Sequence, residues 1–508
     1  MTLAELLASF SLATDLGLGQ PMEHVLRSWR IAAALAERLG WAEQDRETLF
    51  YLTMLGWVGC VADAPEVATT FGDDIAFRAD TFRVDLAGTA RLSFFLRHAG
   101  SDGSAVHRLR SAGALVVTGG RRVIEGIQSH CLTTATLADR LGLAAEVTAG
   151  LRQFFTRWDG QGVPTGIGGA AISPAAQLVQ LADVVEVHHR TGGLPAALAV
   201  ARRRSGSHFS PALVEAFCEL APQILLEQDD EIPFVGDPLL GKRLSAVDLD
   251  AALQVLADFT DLRSPHRAGH SRAVGDLAAA AAHGLRLPEA DRKAVQRAGW
   301  LHDIGLHGVP ATILDKPATP STAEWERIRL ASYYTERVLA RPAALAALGS
   351  LAACTHERMD GSGYHRGLSG AAIPLGGRIL AAACALRAMT EPRAHRPALP
   401  AAEAVAQLRR EVHAGRLDAD AVDAVIAAAG HGRRKRVSGP AGLTAREIEV
   451  LVLLARGTST AAIAGRLQLS VKTVGTYIER IYARTGAANR ATATLFALRH
   501  GLLDPLDL

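Results

Sequence analysis

Two stretches of this chain repeat each other, and that repeat constrains the fold more than any other feature. Residues 157–185 (RWDGQGVPTGIGGAAISPAAQLVQLADVV) and 358–386 (RMDGSGYHRGLSGAAIPLGGRILAAACAL) align without a gap at an offset of 201. Arg, Asp, four Gly, Ala-Ala-Ile and a later Ala coincide. A second correspondence runs at an offset of 246: His24 meets His270, Asp45-Arg46 meets Asp291-Arg292, and Trp57-Val58-Gly59 meets Asp303-Ile304-Gly305. Two copies of one unit, about 200 residues apart, account for both. Each copy is rich in Ala and Leu at helical spacing and shows almost no strand alternation. The expectation is an all-α chain with two helical bundles in tandem, over residues 1–240 and 246–430. A length of 508 residues leaves room for a third domain.

That third domain is visible in residues 442–506. Ile463, Ala464 and Leu467 recur at helical spacing before Gln468-Leu469 closes a short helix. Ser470 is a suitable N-cap for the next helix, VKTVGTYIERIYARTG. On it Val474, Ile478 and Ile481 form one apolar stripe, and Lys472, Thr473, Thr476 and Arg480 lie mainly off that stripe. A helix, a tight turn and a second helix with a polar outer face make the helix-turn-helix pattern. The second helix is expected in the major groove, with Thr476, Tyr477 and Arg480 towards base edges. Lys472, Thr473 and Arg484 are expected towards phosphates.

Charge agrees. From residue 433 onward there are twelve Lys and Arg against five Asp and Glu, a net of +7 in a chain of net +2. The rest of the chain is therefore acidic at −5, as a DNA-binding domain on a neutral-to-acidic body would be. Residues 431–441 read as a basic linker opened by Arg433-Arg434-Lys435-Arg436 and closed by Gly439-Pro440.

Other features bound the setting. Five cysteines (60, 131, 218, 354, 384) are scattered with no CxxC spacing, which points to a reducing compartment and buried thiols. No apolar run is long enough to span a membrane, and the N-terminus, with Glu5 and Asp15, lacks the basic start of a signal peptide. A cytoplasmic location without membrane association is expected.

Residues 443–502 resemble the LuxR-type (GerE-like) helix-turn-helix, carried by Leu443, Thr444, Arg446, Glu447, Glu449, Val450, Leu451, Gly457, Ser459, Ile463, Ala464, Leu467, Ser470, Thr473 and Val474. Thr460-Ala461 and Tyr477 depart from it, where the family often has Asn with a basic residue, and His. The second repeat copy resembles an HD-GYP domain, a helical phosphohydrolase family acting on cyclic di-GMP. Its carriers are LHDIG (301–305), GVPATILDKP (308–317), THERMDGSGYHRG (355–367) and IPLGGRILAAA (373–383). The resemblance implies two HD-domain-like bundles in tandem followed by a four-helix LuxR-type module.

It also implies a metal site of two or three ions, usually iron or manganese, which activate water and stabilise phosphate charge. Position by position the chain falls short. His270, His302-Asp303 and His356 match family ligands. Ala331, Thr355 and Cys384 stand where the family has His, His and Asp, Leu306 stands for a Lys, and His365 for the Pro of the GYP motif. His270, His302, Asp303 and His356 can hold at most one divalent ion, iron or manganese. His266, one turn before His270, is a weaker candidate donor, and Cys384 reads first as a small buried apolar side chain. The first copy is emptier: Gly56-Trp57 replaces the dyad and Phe155 replaces His356, although His130 and Asp183 occupy positions lost in the second copy.

The leading expectation is a transcriptional regulator binding double-stranded DNA as a homodimer, its HD-GYP-like tandem a largely non-catalytic sensor or dimerisation scaffold, with a cyclic dinucleotide as the expected ligand class. The alternative is a metal-dependent cyclic di-GMP phosphodiesterase coupled to DNA binding. A third reading is a helical scaffold that its DNA module merely localises.

Overall fold

A computed structural model describes residues 1–101, 105–118, 120–226, 240, 243–430 and 440–503. Among them every regular element is a helix, and β pairing is confined to isolated bridges. The all-α expectation holds, and no described helix is long and apolar enough to cross a membrane. The chain divides into two compact units, Met1–Ser245 and Ala246–Leu508. The basic run 433–436 lies outside the described residues.

The first unit opens on helix Leu3–Gly17, whose start is closed by a reciprocal capping box between Thr2 and Glu5. Helices His24–Arg38, Glu43–Leu55 and Pro174–Arg203 pack into its core. A separate aromatic cluster of Phe71, Phe77, Phe94 and Phe95 holds the insertion between them.

The second unit repeats the plan. Helices His270–Gly284, Glu289–Leu301 and Leu375–Thr390 form its centre. The first two cross where Gly275 meets Gly299: a Cβ on Gly299 would lie 2.4 Å from Gly275 Cα. Only glycine permits that approach, and Trp300 Nε1 locks it by donating to Asp276 Oδ1 at 3.1 Å. This crossing sets His270, the first residue of one helix, against His302, the residue after the other.

The C-terminal module has four helices, Ala445–Ala455, Thr460–Leu467, Val471–Thr485 and Arg490–Arg499. Ser470 caps the third as expected, accepting from Thr473 N at 3.0 Å. Gln468, left-handed at φ 55°, ends the second. Val474 and Ile481 are fully buried in the module core and Ile478 partly so. That core also takes in Ala268, and Gly457 sits so close to Pro265 that a Cβ there would lie 2.7 Å away. The module therefore rests on the turn immediately before His270.

Candidate metal centre and nucleic-acid interface

Three donors, His270, His302 and Cys384, converge at the centre of the second unit, and Asp303 lies beside the two imidazoles. Asp303 Oδ2 lies 3.3 Å from His302 Nε2 and 3.7 Å from His270 Nε2. Cys384 Sγ lies 3.7 Å from His302 Nε2. His270, His302 and Cys384 are all buried, and their donor atoms lie within 4.8 Å of one another.

Each imidazole is oriented by what its other nitrogen touches. His270 Nδ1 is 2.6 Å from Glu391 Oε2, and His302 Nδ1 is 2.7 Å from Gly299 O. Both contacts place the proton on Nδ1 and leave the Nε2 lone pair facing the cluster, the arrangement that metal-binding histidines require. Burial, with the Arg267 charge and against the opposing pull of Glu391, leaves His270 well below the usual histidine range. Burial and then Arg267 push His302 down to about 3. Neutral imidazole is the ligating form.

His270 Nε2 is buried with no hydrogen-bond partner, an arrangement that costs free energy unless something else satisfies the atom. The residues therefore fit one divalent ion. They do not fit two. Ala331 offers a methyl group, and Thr355 Oγ1 is committed to Ala352 O at 2.6 Å. Leu306 and Ala331, in place of a lysine and a histidine, are buried together in an apolar cluster with Val309 and Ile313.

His356 is not among the converging donors; its ring stacks on Tyr364 at 5.0 Å. Cys384, buried as expected, faces His302 from helix Leu375–Thr390. His266 also stands apart from the cluster, half-buried on the turn Pro265–Arg267. Two residues escaped the sequence reading altogether. Arg267 pairs its guanidinium with Asp303, and Glu391, held by Arg387 and Arg393 at 2.9 Å each, orients His270.

A signal for Glu391 lay in the repeat. At the offset of 201, Glu186 and Arg190 correspond to Arg387 and Glu391. The same i,i+4 ion pair is built in both units with its charges exchanged, and in each the carboxylate meets the first histidine.

The first unit does the opposite chemistry at the matching place. His24 is bonded on both sides, Nδ1 to Glu186 at 2.5 Å and Nε2 to Asp183 at 3.0 Å. Burial opposes its charge, but the two carboxylates prevail and hold it up to about 10, so the ring is an imidazolium and cannot ligate. Trp57, at the position of Asp303, donates Nε1 to Asp183 Oδ2 at 3.0 Å and packs against Phe82, Phe154 and Phe155. His130 gives Nε2 to Gly56 O at 2.8 Å. His130 and Asp183 are thus hydrogen-bonded polar groups of the core.

On the module, Lys472, Thr473, Thr476 and Arg480 are exposed along one side of helix Val471–Thr485. Tyr477 is half-buried against the module core. Arg484 Nη1 donates to Gly442 O and to Glu447 Oε2, each at 2.8 Å. It braces the cap of the first module helix while its side chain stays exposed. Leu495 and Leu498 are buried within the chain.

A helical bundle built around a His-Asp dyad, with a four-helix module resting on it, defines an HD-domain protein carrying a regulatory helix-turn-helix. The comparisons agree. The HD-domain family matches residues 254–421, and the luxR family of bacterial regulatory proteins matches residues 441–497. The chain is 31% identical over 419 residues to the 3'3'-cGAMP-specific phosphodiesterase 3 of Vibrio cholerae, covering 81% of this chain and 91% of that one. A crystal structure of a cyclic GMP-AMP specific phosphodiesterase from V. cholerae superposes with a TM-score of 0.59 at 27% identity, over 84% of this chain and 97% of the other. The module is 45% identical over 62 residues to the probable transcriptional regulatory protein NarL of Mycobacterium tuberculosis, covering 12% of this chain and 29% of that one. The chain belongs to the HD-GYP phosphodiesterase family and carries a luxR-family domain at its C-terminal end.

Proposed function

We propose that this protein is a DNA-binding transcriptional regulator whose HD-GYP-like tandem is a largely non-catalytic sensor. One observation carries the proposal. The turn that holds Arg267 against Asp303 also seats the module, through Pro265 on Gly457 and through Ala268 in the module core. A ligand or ion that competes for Asp303 would move Arg267, and with it the ground on which the DNA-reading helices rest. That is differential contact at one site biasing another.

The residues that would hold an ion are His270, His302, Asp303 and Cys384. Such an ion supplies Lewis-acid charge next to a bound phosphate. With a methyl at Ala331 and only a neutral hydroxyl at Thr355, a second ion lacks two of the imidazoles that the family pattern supplies. The electrostatic contribution that usually dominates such catalysis is accordingly reduced.

The long match to a cyclic-dinucleotide phosphodiesterase and the intact His302-Asp303 dyad favour a second reading, a metal-dependent phosphodiesterase coupled to DNA binding. One experiment separates the two. The full chain is bound to genomic fragments with and without cyclic di-GMP and 3'3'-cGAMP, and nucleotide hydrolysis is followed in the same tubes. Sequence-selective DNA binding that shifts with nucleotide while the nucleotide stays intact supports the regulator. Robust turnover lost in His302→Ala supports the enzyme.

A further inference from the structure

Cys384 stands where the family has a carboxylate, yet it is aimed at the same point. We propose that His270 Nε2, His302 Nε2, Asp303 Oδ2 and Cys384 Sγ form a mononuclear, zinc-type site in which the cysteine thiolate is the fourth protein donor. The proposal rests on the reading above that the HD half keeps one ion, and it changes which ion that is.

His270, His302 and Cys384 already lie within 4.8 Å of one another, and Asp303, outside that trio, adjoins both imidazoles. Around a tetrahedral zinc with metal–nitrogen and metal–oxygen bonds of about 2.0–2.1 Å and a metal–sulfur bond of about 2.3 Å, N···O separations come to about 3.3 Å and N···S to about 3.6 Å. The observed separations are 3.3 Å for His302–Asp303, 3.7 Å for His270–Asp303 and 3.7 Å for His302–Cys384. The two Nδ1 contacts aim both lone pairs inward before any ion arrives, and His270 Nε2 has no other partner.

Donor chemistry then selects the metal. Two imidazoles, one carboxylate and one thiolate make a borderline-soft set, which suits zinc better than the harder manganese. Binding releases the thiol proton to solvent. The guanidinium of Arg267, now on Asp303, must let go of that carboxylate.

A similar trio in the first unit does not qualify. Cys60, Asp63 and His130 lie close together, but Arg78 takes Asp63 and Gly56 O takes His130 Nε2. Its charge is balanced by protein groups alone.

The test uses the full chain, stripped of metal and loaded anaerobically with cobalt(II). The expected result is one cobalt per chain and a strong thiolate-to-cobalt charge-transfer absorption in the near ultraviolet. Cys384→Ser should lose that band, and Cys384→Asp should lose it while moving competition from zinc towards manganese. X-ray absorption of the zinc-loaded wild type should show a sulfur neighbour at about 2.3 Å, with no variant required. Bound metal without the band or the sulfur neighbour overturns the cysteine ligand and leaves the one-ion reading intact. No bound metal at all overturns both.

Discussion

Leu306 and Ala331 share one buried apolar cluster, although the HD-GYP pattern has a lysine and a histidine at these two positions. They are 25 residues apart in the chain, so their two losses have closed on each other in space. Val309 and Ile313 complete the cluster, with Ile328 and Leu314 packed against it. What the family uses as polar lining has become core.

Restoring the histidine alone should therefore fail. Ala331→His drives an imidazole into apolar surroundings without a partner, a change worth about 1–3 kcal/mol of destabilisation. Urea denaturation should show the loss, and chromatography of cyclic di-GMP and 3'3'-cGAMP digests should show no gain in turnover. A variant that folds with wild-type stability and hydrolyses either nucleotide would mean the cluster is no barrier.

Glu391 orients His270 and keeps the Nε2 lone pair available. Glu391→Gln should lower metal affinity about 10–100-fold, the usual effect of losing a carboxylate behind a ligating imidazole. Competition against a chromophoric chelator measures this. Unchanged affinity would show that the backbone alone holds the ring.

Arg267 and an ion compete for the same carboxylate. Arg267→Gln should bind zinc more tightly than wild type. Because the same turn seats the module, its DNA affinity should also lose dependence on added zinc. Fluorescence anisotropy with labelled duplex, run with zinc and with chelator, reads both. Zinc-insensitive DNA binding in the wild type would break the proposed link.

On the DNA-reading helix the exposed residues should separate by role. Arg480→Ala should cost about 1–3 kcal/mol and relax sequence preference if the side chain meets a base edge. Lys472→Ala should weaken binding to all sequences and reduce the salt slope by about 1. Arg484→Ala should instead lower the module's melting temperature, since Arg484 holds Gly442 and Glu447. Sedimentation of the complex on two half-sites tests the expected dimer.

The first unit should lose stability in alkali. His24 faces Asp183 and Glu186, with Asp15, Arg27 and Trp57 also packed about this network, and its folded value is raised from 6.5 to about 10. A raised value means the contribution is complete below pH 6.5, declines between 6.5 and about 10 as the unfolded chain gives up its proton first, and is gone above that. Thermal melts of wild type and His24→Gln across this window should converge as pH rises. Parallel curves would mean that His24 is not charged in the folded state.

Much was legible along the chain because it depends on neighbours in sequence. Helical periodicity, the Ser470 cap, the repeat and the His302-Asp303 dyad are signals within a few turns of one helix, or exact correspondences between two segments. They sufficed for an all-α tandem with a luxR-type module. The donor set was not legible, because it depends on which side chains from distant helices reach one point. Cys384 and His356 both looked like neighbours of the dyad, yet only packing directed the first towards His302 and the second onto Tyr364.

The sequence by itself determined which segments are helices, where they begin and that one unit is used twice, since hydrophobic period and capping act locally. Only the tertiary structure decided what each copy of the site became. Trp57 fills the first with an indole beside a charged His24, whereas the Gly275–Gly299 crossing brings His270 and His302 together in the second, neutral and facing Asp303 and Cys384. The physical reason is that burial and the identity of a few contacting groups set whether an imidazole carries a proton or a free lone pair, and contacts between residues on different helices have no local signature.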